Sequence, residues 1–125
     1  MHGEITKGRS TISSSKLYDL DGTEINLGDL CDDGSQMRPH IVWFGEPVPM
    51  MEKAIDIVQE SDYLIIIGTS LMVYPASGLI DYARVNVKKF YIDSDAKSNL
   101  NRNDIELISM RASEGVKSLV KRLMQ

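Results

Sequence analysis

"YLIIIGTS" occupies Tyr63 to Ser70. It is a continuous apolar run, rich in β-branched residues, and glycine closes it. That pattern predicts a strand buried on both faces, as in a parallel sheet. The segments around it repeat the theme. Upstream, "HIVWF" (His40–Phe44) is a short apolar run that predicts another buried strand. Between the two, Met51, Ala54, Ile55 and Val58 recur at helical spacing and make one apolar face. Downstream, Pro75 suits a first helical turn, and Ala76, Leu79, Ile80 and Ala83 form its stripe. "KKFYID" (Lys88–Asp93) and "IELISM" (Ile105–Met110) predict two more strands. Ser113 is placed to cap a last helix, with Val116, Leu119, Val120 and Leu123 facing inward. Its basic end, Lys117 to Arg122, suits the C-terminal helix dipole.

This alternation of strands and helices implies an α/β fold. The expected architecture is a partial Rossmann-like parallel sheet with right-handed crossovers and helices on both faces. No G-x-G-x-x-G turn opens it. Residues 3 to 36 differ in character, being polar and weakly patterned. Asp21-Gly22 between short apolar runs signals a hairpin, because both residues tolerate positive φ. The expected division is a small hairpin module over 1–36 and a Rossmann-like half-domain over 37–125.

The bulk composition narrows the function classes. A chain of 125 residues holds one domain with a real core rather than two of typical size. Its net charge of −4 is mild and both signs are scattered, which disfavours direct nucleic-acid binding. No apolar run is long enough for a membrane span. Cys31 is the single cysteine, so neither an internal disulfide nor a cysteine zinc cage is expected, and the metal expectation is none. No signal-peptide pattern opens the sequence, and a cytoplasmic protein is the expectation.

Four places are candidates for chemistry. Gly68, Thr69 and Ser70 follow a strand and lead toward a helix. Glycine there lets backbone N–H groups approach a phosphate or ribose, and two hydroxyls stand beside it. A tight turn with a helix cap explains the same residues equally well. Asp93 closes the next strand, where dinucleotide folds place an acid that grips ribose hydroxyls. The plain alternative is an aspartate that caps its own turn with Asp95. His2 is a histidine beside glycine and so a candidate general base, though a terminal histidine is more often a surface residue. His40 reads as a strand-edge residue. The fourth place is "HIVWFGEPVP", a strand running into Gly45, Glu46 and two prolines. An extended edge of this kind accepts a peptide by strand addition. Core packing of Trp43 and Phe44 is the competing explanation.

Taken together, "HG" at His2-Gly3, "RPHIVWFGE", "YLIIIGTSLMVYPASGL", "FYID" and "RASEGVKSLVKRL" resemble the sirtuins, the NAD-dependent protein-lysine deacylases. The resemblance is strong over Arg38 to Met124, includes His2-Gly3, and is loose between. It implies NAD as cofactor and an acyl-lysine protein or peptide as substrate. It implies His2 as the catalytic base toward the cofactor ribose. Val42, Phe44, Gly45 and Glu46 match the residues of the acyl-lysine channel, with Gly45 and Glu46 pairing to the substrate backbone. Trp43, alternating to the other side, is expected in packing. Gly68, Thr69 and Ser70 match the turn that holds the adenosine ribose and phosphates. Asp93 stands where the family usually has asparagine, and Ser94 follows in the same loop. Arg111 and Ala112 match the segment flanking the adenine.

Two departures from the family pattern stand out. Many sirtuins carry four zinc-binding cysteines between the "HG" and "RP" segments, where this chain has only Cys31. The small module is therefore expected to be metal-free and organised by the hairpin around Asp21-Gly22. The family's "GAGxS" turn and "QNxD" motif are also absent from the sequence. The expectation is a chain equivalent to the C-terminal half of a sirtuin, inactive alone. Its sheet edge would await a partner, either the missing N-terminal half or a second copy. A non-catalytic nucleotide-binding or protein-interaction module on the same half-fold is the alternative.

Overall fold

The computed structural model describes residues 1–22, 24–96, 100 and 102–125. They form two compact units, Met1–Met50 and Met51–Gln125.

The first unit is built on an antiparallel sheet of three strands in the order β2-β1-β3. Strand β1 spans Gly3–Ser10, β2 Leu17–Asp19 and β3 Met37–Ile41. Pairing of Gly8 with Tyr18 and of Arg9 with Arg38 fixes the register, which shifts between Glu4 and Gly8. The hairpin expected at Asp21-Gly22 is corrected here. Strand β2 pairs with β1, so the serine-rich segment joins the hairpin. The hydroxyl of Ser10 closes that segment by accepting the N–H groups of Ile12 and Ser13 at 3.0 and 3.1 Å. It also meets the Ser35 hydroxyl at 2.6 Å. The long loop before β3 is organised by one side-chain amide. Gln36 Nε2 donates to the carbonyls of Asn26, Asp29 and Met37 at 2.9, 3.2 and 3.0 Å, and its Oε1 accepts the Gly28 N–H at 2.8 Å. Each bond satisfies a loop backbone group that has no ladder to join.

Strand β3 also departs from expectation. It ends at Ile41 and pairs antiparallel with β1, so "HIVWF" does not enter the parallel sheet. Pro39 is accommodated because β3 is an edge strand.

The second unit holds the parallel sheet, in the order β4-β5-β6. Helix α1 (Met51–Glu60) leads into β4 (Tyr63–Ile67). A 3-10 helix (Ala76–Tyr82) connects β4 to β5 (Lys88–Ile92), and β6 (Glu106–Ile108) is followed by α2 (Ala112–Leu123). All three strands run parallel. On one face Ile80, Tyr91, Ala96 and Ile105 are buried, with Leu64 and Ile66 of β4 against them. On the other, Phe90, Ile92 and Leu119 form a cluster flanked by Ile108, Val116 and Leu123. Helices thus cover both faces of β5, and helix α1 packs on the 3-10 helix.

Strand β4 is not buried on both faces. It is the edge of its sheet, and Tyr63, Ile65 and Ile67 stay 46, 39 and 44% exposed. A continuous apolar run reads alike in a central strand and in an edge strand with one covered face. Gly115 brings α2 close to β5, since a Cβ there would lie 2.4 Å from Ile92 Cγ2. The α2 N-cap is Arg111, which makes no side-chain cap bond, so Ser113 sits within the first turn rather than capping it.

Candidate functional site

In the second unit the parallel sheet gathers three segments at the carboxyl ends of adjacent strands. Gly68, Thr69 and Ser70 follow β4, Asp93 and Ser94 follow β5, and Arg111 and Ala112 follow β6 at the start of α2. Ligands of open α/β sheets bind at this end. The Gly68 N–H donates to the Ile92 carbonyl at 2.9 Å and the Asp93 N–H to the Ile108 carbonyl at 3.2 Å, so the ladder ties the exits together. Gly68 has φ +59° and Leu71 has φ +55°. A left-handed conformation at a leucine is uncommon and marks a turn held by its surroundings. The Thr69 hydroxyl accepts the Leu71 N–H at 3.2 Å, and the Tyr91 hydroxyl donates to the Thr69 carbonyl at 2.5 Å. Tyr91 is fully buried, so this bond anchors the turn on β5. The Thr69 and Ser70 side chains stay exposed, and nothing lies within 4 Å of a Cβ built on Gly68. The two hydroxyls therefore stand exposed beside an uncrowded glycine, which suits a ribose or phosphate.

Asp93 is half-buried, and its Oδ1 accepts the Asp95 N–H at 2.8 Å. One oxygen thus shapes the loop that presents Ser94. Arg111 and Ala112 are both exposed.

In the first unit His2 and Val42 meet through the backbone. The Val42 N–H donates to the His2 carbonyl at 2.8 Å. Gly3 makes this possible. Its φ is +105°, and a Cβ would lie 1.9 Å from the His40 carbonyl oxygen. The glycine of "HG" is thus required by the close approach of β1 to β3, and the His2 side chain is left exposed beside it.

Beyond Ile41 the chain turns. The Glu46 N–H donates to the Trp43 carbonyl at 3.1 Å, and Gly45 has φ +86°. Phe44 at the turn is 94% exposed. Trp43 is 54% exposed, so the packing expected of it does not occur. It lines an open groove of about 550 Å³ with Ile5, Leu20, Ile25 and Pro39. The turn carries it out of the strand register that packing requires. Val42 is half-buried and lines a smaller cavity of about 260 Å³ with Gly3, Glu4, Arg9 and His40. His40 does lie on an edge strand, and its Nδ1 is buried without a partner among the described residues.

The side chain of Glu46 has partners of its own. Its carboxylate takes a forked bond from Arg38, Nη1 to Oε1 at 2.6 Å and Nη2 to Oε2 at 3.2 Å. Arg9 Nη2 reaches Oε2 at 3.4 Å, and the Trp43 N–H donates to the same oxygen at 3.0 Å. The Arg38 guanidinium, then the Trp43 N–H, hold the Glu46 carboxyl below its ordinary range. Arg9, Arg38 and Tyr91 were not singled out by the sequence reading. For Arg38 and Glu46 a signal exists, since opposite charges bracket a glycine turn. For Arg9 and Tyr91 only the fold brings the partners near.

The family model described as "Sir2 family" matches residues 1–75. An NAD-dependent protein deacylase of Helicobacter pylori strain 26695 is 40% identical over 125 residues, which is 100% of this chain and 54% of that protein. One from Bacteroides thetaiotaomicron is 39% identical, over 99% of this chain and 55% of its own length. Among solved structures, a Sir2 homologue in complex with NAD aligns with a TM-score of 0.76 at 28% identity, covering 98% of this chain and 49% of its own. Sir2Tm bound to a propionylated peptide aligns at 0.69 and 26% identity, covering 99% and 55%. The chain thus spans about half the length of the curated relatives it matches. A family match over most of the sequence, with the fold agreeing throughout, places this chain in the Sir2 family.

Proposed function

We propose that this chain supplies the peptide-binding wall and the ribose-binding turns of an NAD-dependent protein-lysine deacylase. One observation carries the reading. Gly68–Ser70, Asp93–Ser94 and Arg111–Ala112, scattered in sequence, leave adjacent parallel strands at one end of one sheet. Bound NAD would supply a ribose carbon open to attack and nicotinamide as leaving group. The Gly68 turn and the exposed hydroxyls of Thr69 and Ser70 would hold ribose and phosphate oxygens. Asp93, through the oxygen not spent on Asp95, would accept from ribose hydroxyls, with Ser94 beside it. Arg111 and Ala112 would flank the adenine. His2 would take a proton from a ribose hydroxyl, a role suited to an imidazole near neutral pH. Val42 and Phe44 would line the path of an acylated lysine, and the backbone at Gly45 and Glu46 would pair with the peptide.

The same reading calls for a polypeptide segment that brings the glycine-rich NAD turn, such as the other half of an enzyme of this kind. A second copy of this chain, which lacks that turn, could only cover the sheet edge. The open edge of β4, with its partly exposed Tyr63, Ile65 and Ile67, supports a partner that adds a strand. No helix among the described residues is long and apolar enough to cross a membrane. A cytoplasmic location, without direct contact to nucleic acid, goes with this proposal.

The test is nicotinamide release from NAD. The chain is assayed alone and mixed with a polypeptide carrying the glycine-rich turn, against acetylated and unmodified peptide. Cleavage by the mixture that requires acetylation and disappears in His2→Ala is the expected result. Cleavage indifferent to acetylation, or none in either case, would sink the proposal. NAD binding without any cleavage would favour a nucleotide-binding module.

A further inference from the structure

The segment from Ile41 to Glu46 has an unusual division of its polar groups. The Ile41 carbonyl accepts from Arg9 Nη2 and Arg38 Nη2 at 3.4 and 3.3 Å. The Val42 N–H is bound to His2, and the Trp43 N–H to Glu46 Oε2. The Trp43 carbonyl takes the Glu46 N–H. Among the described residues no hydrogen bond engages the backbone of Phe44 or Gly45. The Ile41 carbonyl and the Trp43 N–H are thus tied by two arginines and one carboxylate, the Val42 N–H and the Trp43 carbonyl by backbone partners, and the tip is left open. The arginines are well placed for this work. Their side chains keep only 14% and 23% of their exposure, and Glu46 keeps 31%. A forked guanidinium–carboxylate pair fixes direction as well as distance, which a lysine cannot do.

We infer that Arg38 and Arg9 are positioning residues which act through Glu46 to hold Val42–Gly45 in the shape that receives an acylated peptide. The inference rests on the reading of this segment as the peptide wall, and it adds a part for the Glu46 side chain. The carboxylate is committed to the arginines and the Glu46 N–H to the Trp43 carbonyl, so only the Glu46 carbonyl remains for a substrate. Arg9 contributes less than Arg38, since its contacts to Glu46 and Ile41 are the longer ones.

The test uses the whole chain and two readouts. The first is hydrogen exchange of the Trp43 amide, with the Leu20 and Thr11 amides as controls. Those two are bonded to the Thr6 and Gln36 carbonyls in the same unit. The second is binding of an acetyl-lysine peptide and its unmodified counterpart, followed by fluorescence of Trp43, the only tryptophan in the sequence. In Arg38→Gln and Glu46→Gln, Trp43 exchange is expected to rise about tenfold or more while the controls hold, a size fitting loss of a charged hydrogen bond. Peptide affinity is expected to fall by a similar factor. Arg38→Lys keeps the charge and loses the fork, so it should recover part of both. Unchanged Trp43 exchange in both glutamine variants overturns the clamp. So does a rise shared equally by Leu20 and Thr11, which would mark general loosening. Faster Trp43 exchange with undiminished peptide affinity overturns the positioning role. If the unaltered chain does not prefer the acetylated peptide, the reading of the wall fails instead, and the exchange rates alone then decide the clamp.

Discussion

The two units are held together by different physics. Among the described residues, every buried apolar side chain except Cys31 belongs to the second unit. There Phe90, Tyr91, Ile92 and Leu119 pack between helices and sheet, and burial of apolar surface is the main stabilising term. The first unit has no comparable core. It is bound by polar side chains satisfying backbone groups, as with Gln36, Ser10 and the Arg9–Glu46–Arg38 group. Polar networks set geometry tightly but contribute modest net stability per bond. The difference suits the proposed roles. A peptide wall needs a defined shape with an open tip, and ribose turns need a rigid base.

The largest effect should come from the point in the first unit where backbone meets backbone. A Cβ on Gly3 would sit 1.9 Å from a carbonyl oxygen, and the position also requires positive φ. Gly3→Ala is expected to open the start of the β1–β3 ladder, at a cost of about 3 kcal/mol or more. Hydrogen exchange of the Val42 amide, bonded to the His2 carbonyl, reads it directly. An unchanged Val42 amide would remove the structural account of the "HG" pair. In the second unit the corresponding weak point is the core. Leu119 is 2% exposed, and Leu119→Ala should cost about 2–4 kcal/mol by transfer and cavity terms together. Denaturant unfolding of the variant checks it. A loss under about 1 kcal/mol would mean that the α2 face is looser than the packing implies.

Acid should separate the units. Glu46 and Asp33 both titrate below their ordinary values of 4.5 and 3.8. The cause is Arg38 for the first and the Ser35 hydroxyl for the second. A carboxylate with a depressed folded-state pKa stabilises the fold above its unfolded value. That contribution is lost as pH falls through the folded-state pKa. The first unit should therefore be unaffected from pH 7 to about 5 and loosen below about 4.5. In the second unit Asp104 is held much further down, by Arg102 first and Lys89 next, so its contribution persists to lower pH. Trp43 fluorescence should change at higher pH than far-ultraviolet circular dichroism, which the second unit's helices dominate. Coincident transitions would erase the contrast.

How far the sequence could be read follows the same division. In the second unit, Met51–Val58 and Val116–Leu123 carry helical periodicity, and the apolar strands have little other use. Their elements were therefore legible. The edge position of β4 was not, because Tyr63–Ile67 alternates in burial without alternating in composition. In the first unit β1 reads "GEITKGRS", too polar to announce a strand, and forms one because it has a partner on each side. A strand defined by its neighbours leaves little trace in its own residues. The candidate ribose turns were legible from glycine, hydroxyl and acid at strand ends. The bond from Tyr91 to Thr69 was not, since it joins residues 22 apart that only β4–β5 pairing makes adjacent.

The smallest predicted effect tests the reading of the last helix. A serine before an apolar helical stripe is ordinarily a cap, and replacing a true cap by alanine costs about 1 kcal/mol. Here the helix begins two residues earlier than that rule implies. Arg111 has the extended conformation of an N-cap, with φ −61° and ψ 145°, and the Glu114 and Gly115 N–H groups donate to its carbonyl. Ser113 is exposed within the first turn and makes no side-chain bond among the described residues. Ser113→Ala should therefore change stability by less than about 0.5 kcal/mol, as for other exposed sites without a special contact. Gly115→Ala, two residues on, should cost far more, because its new methyl would meet Ile92. Thermal melts of the two variants side by side decide the helix start. If Ser113→Ala were the more damaging, the cap would lie at Ser113, and Arg111 and Ala112 would belong to the preceding loop rather than to the entry of α2.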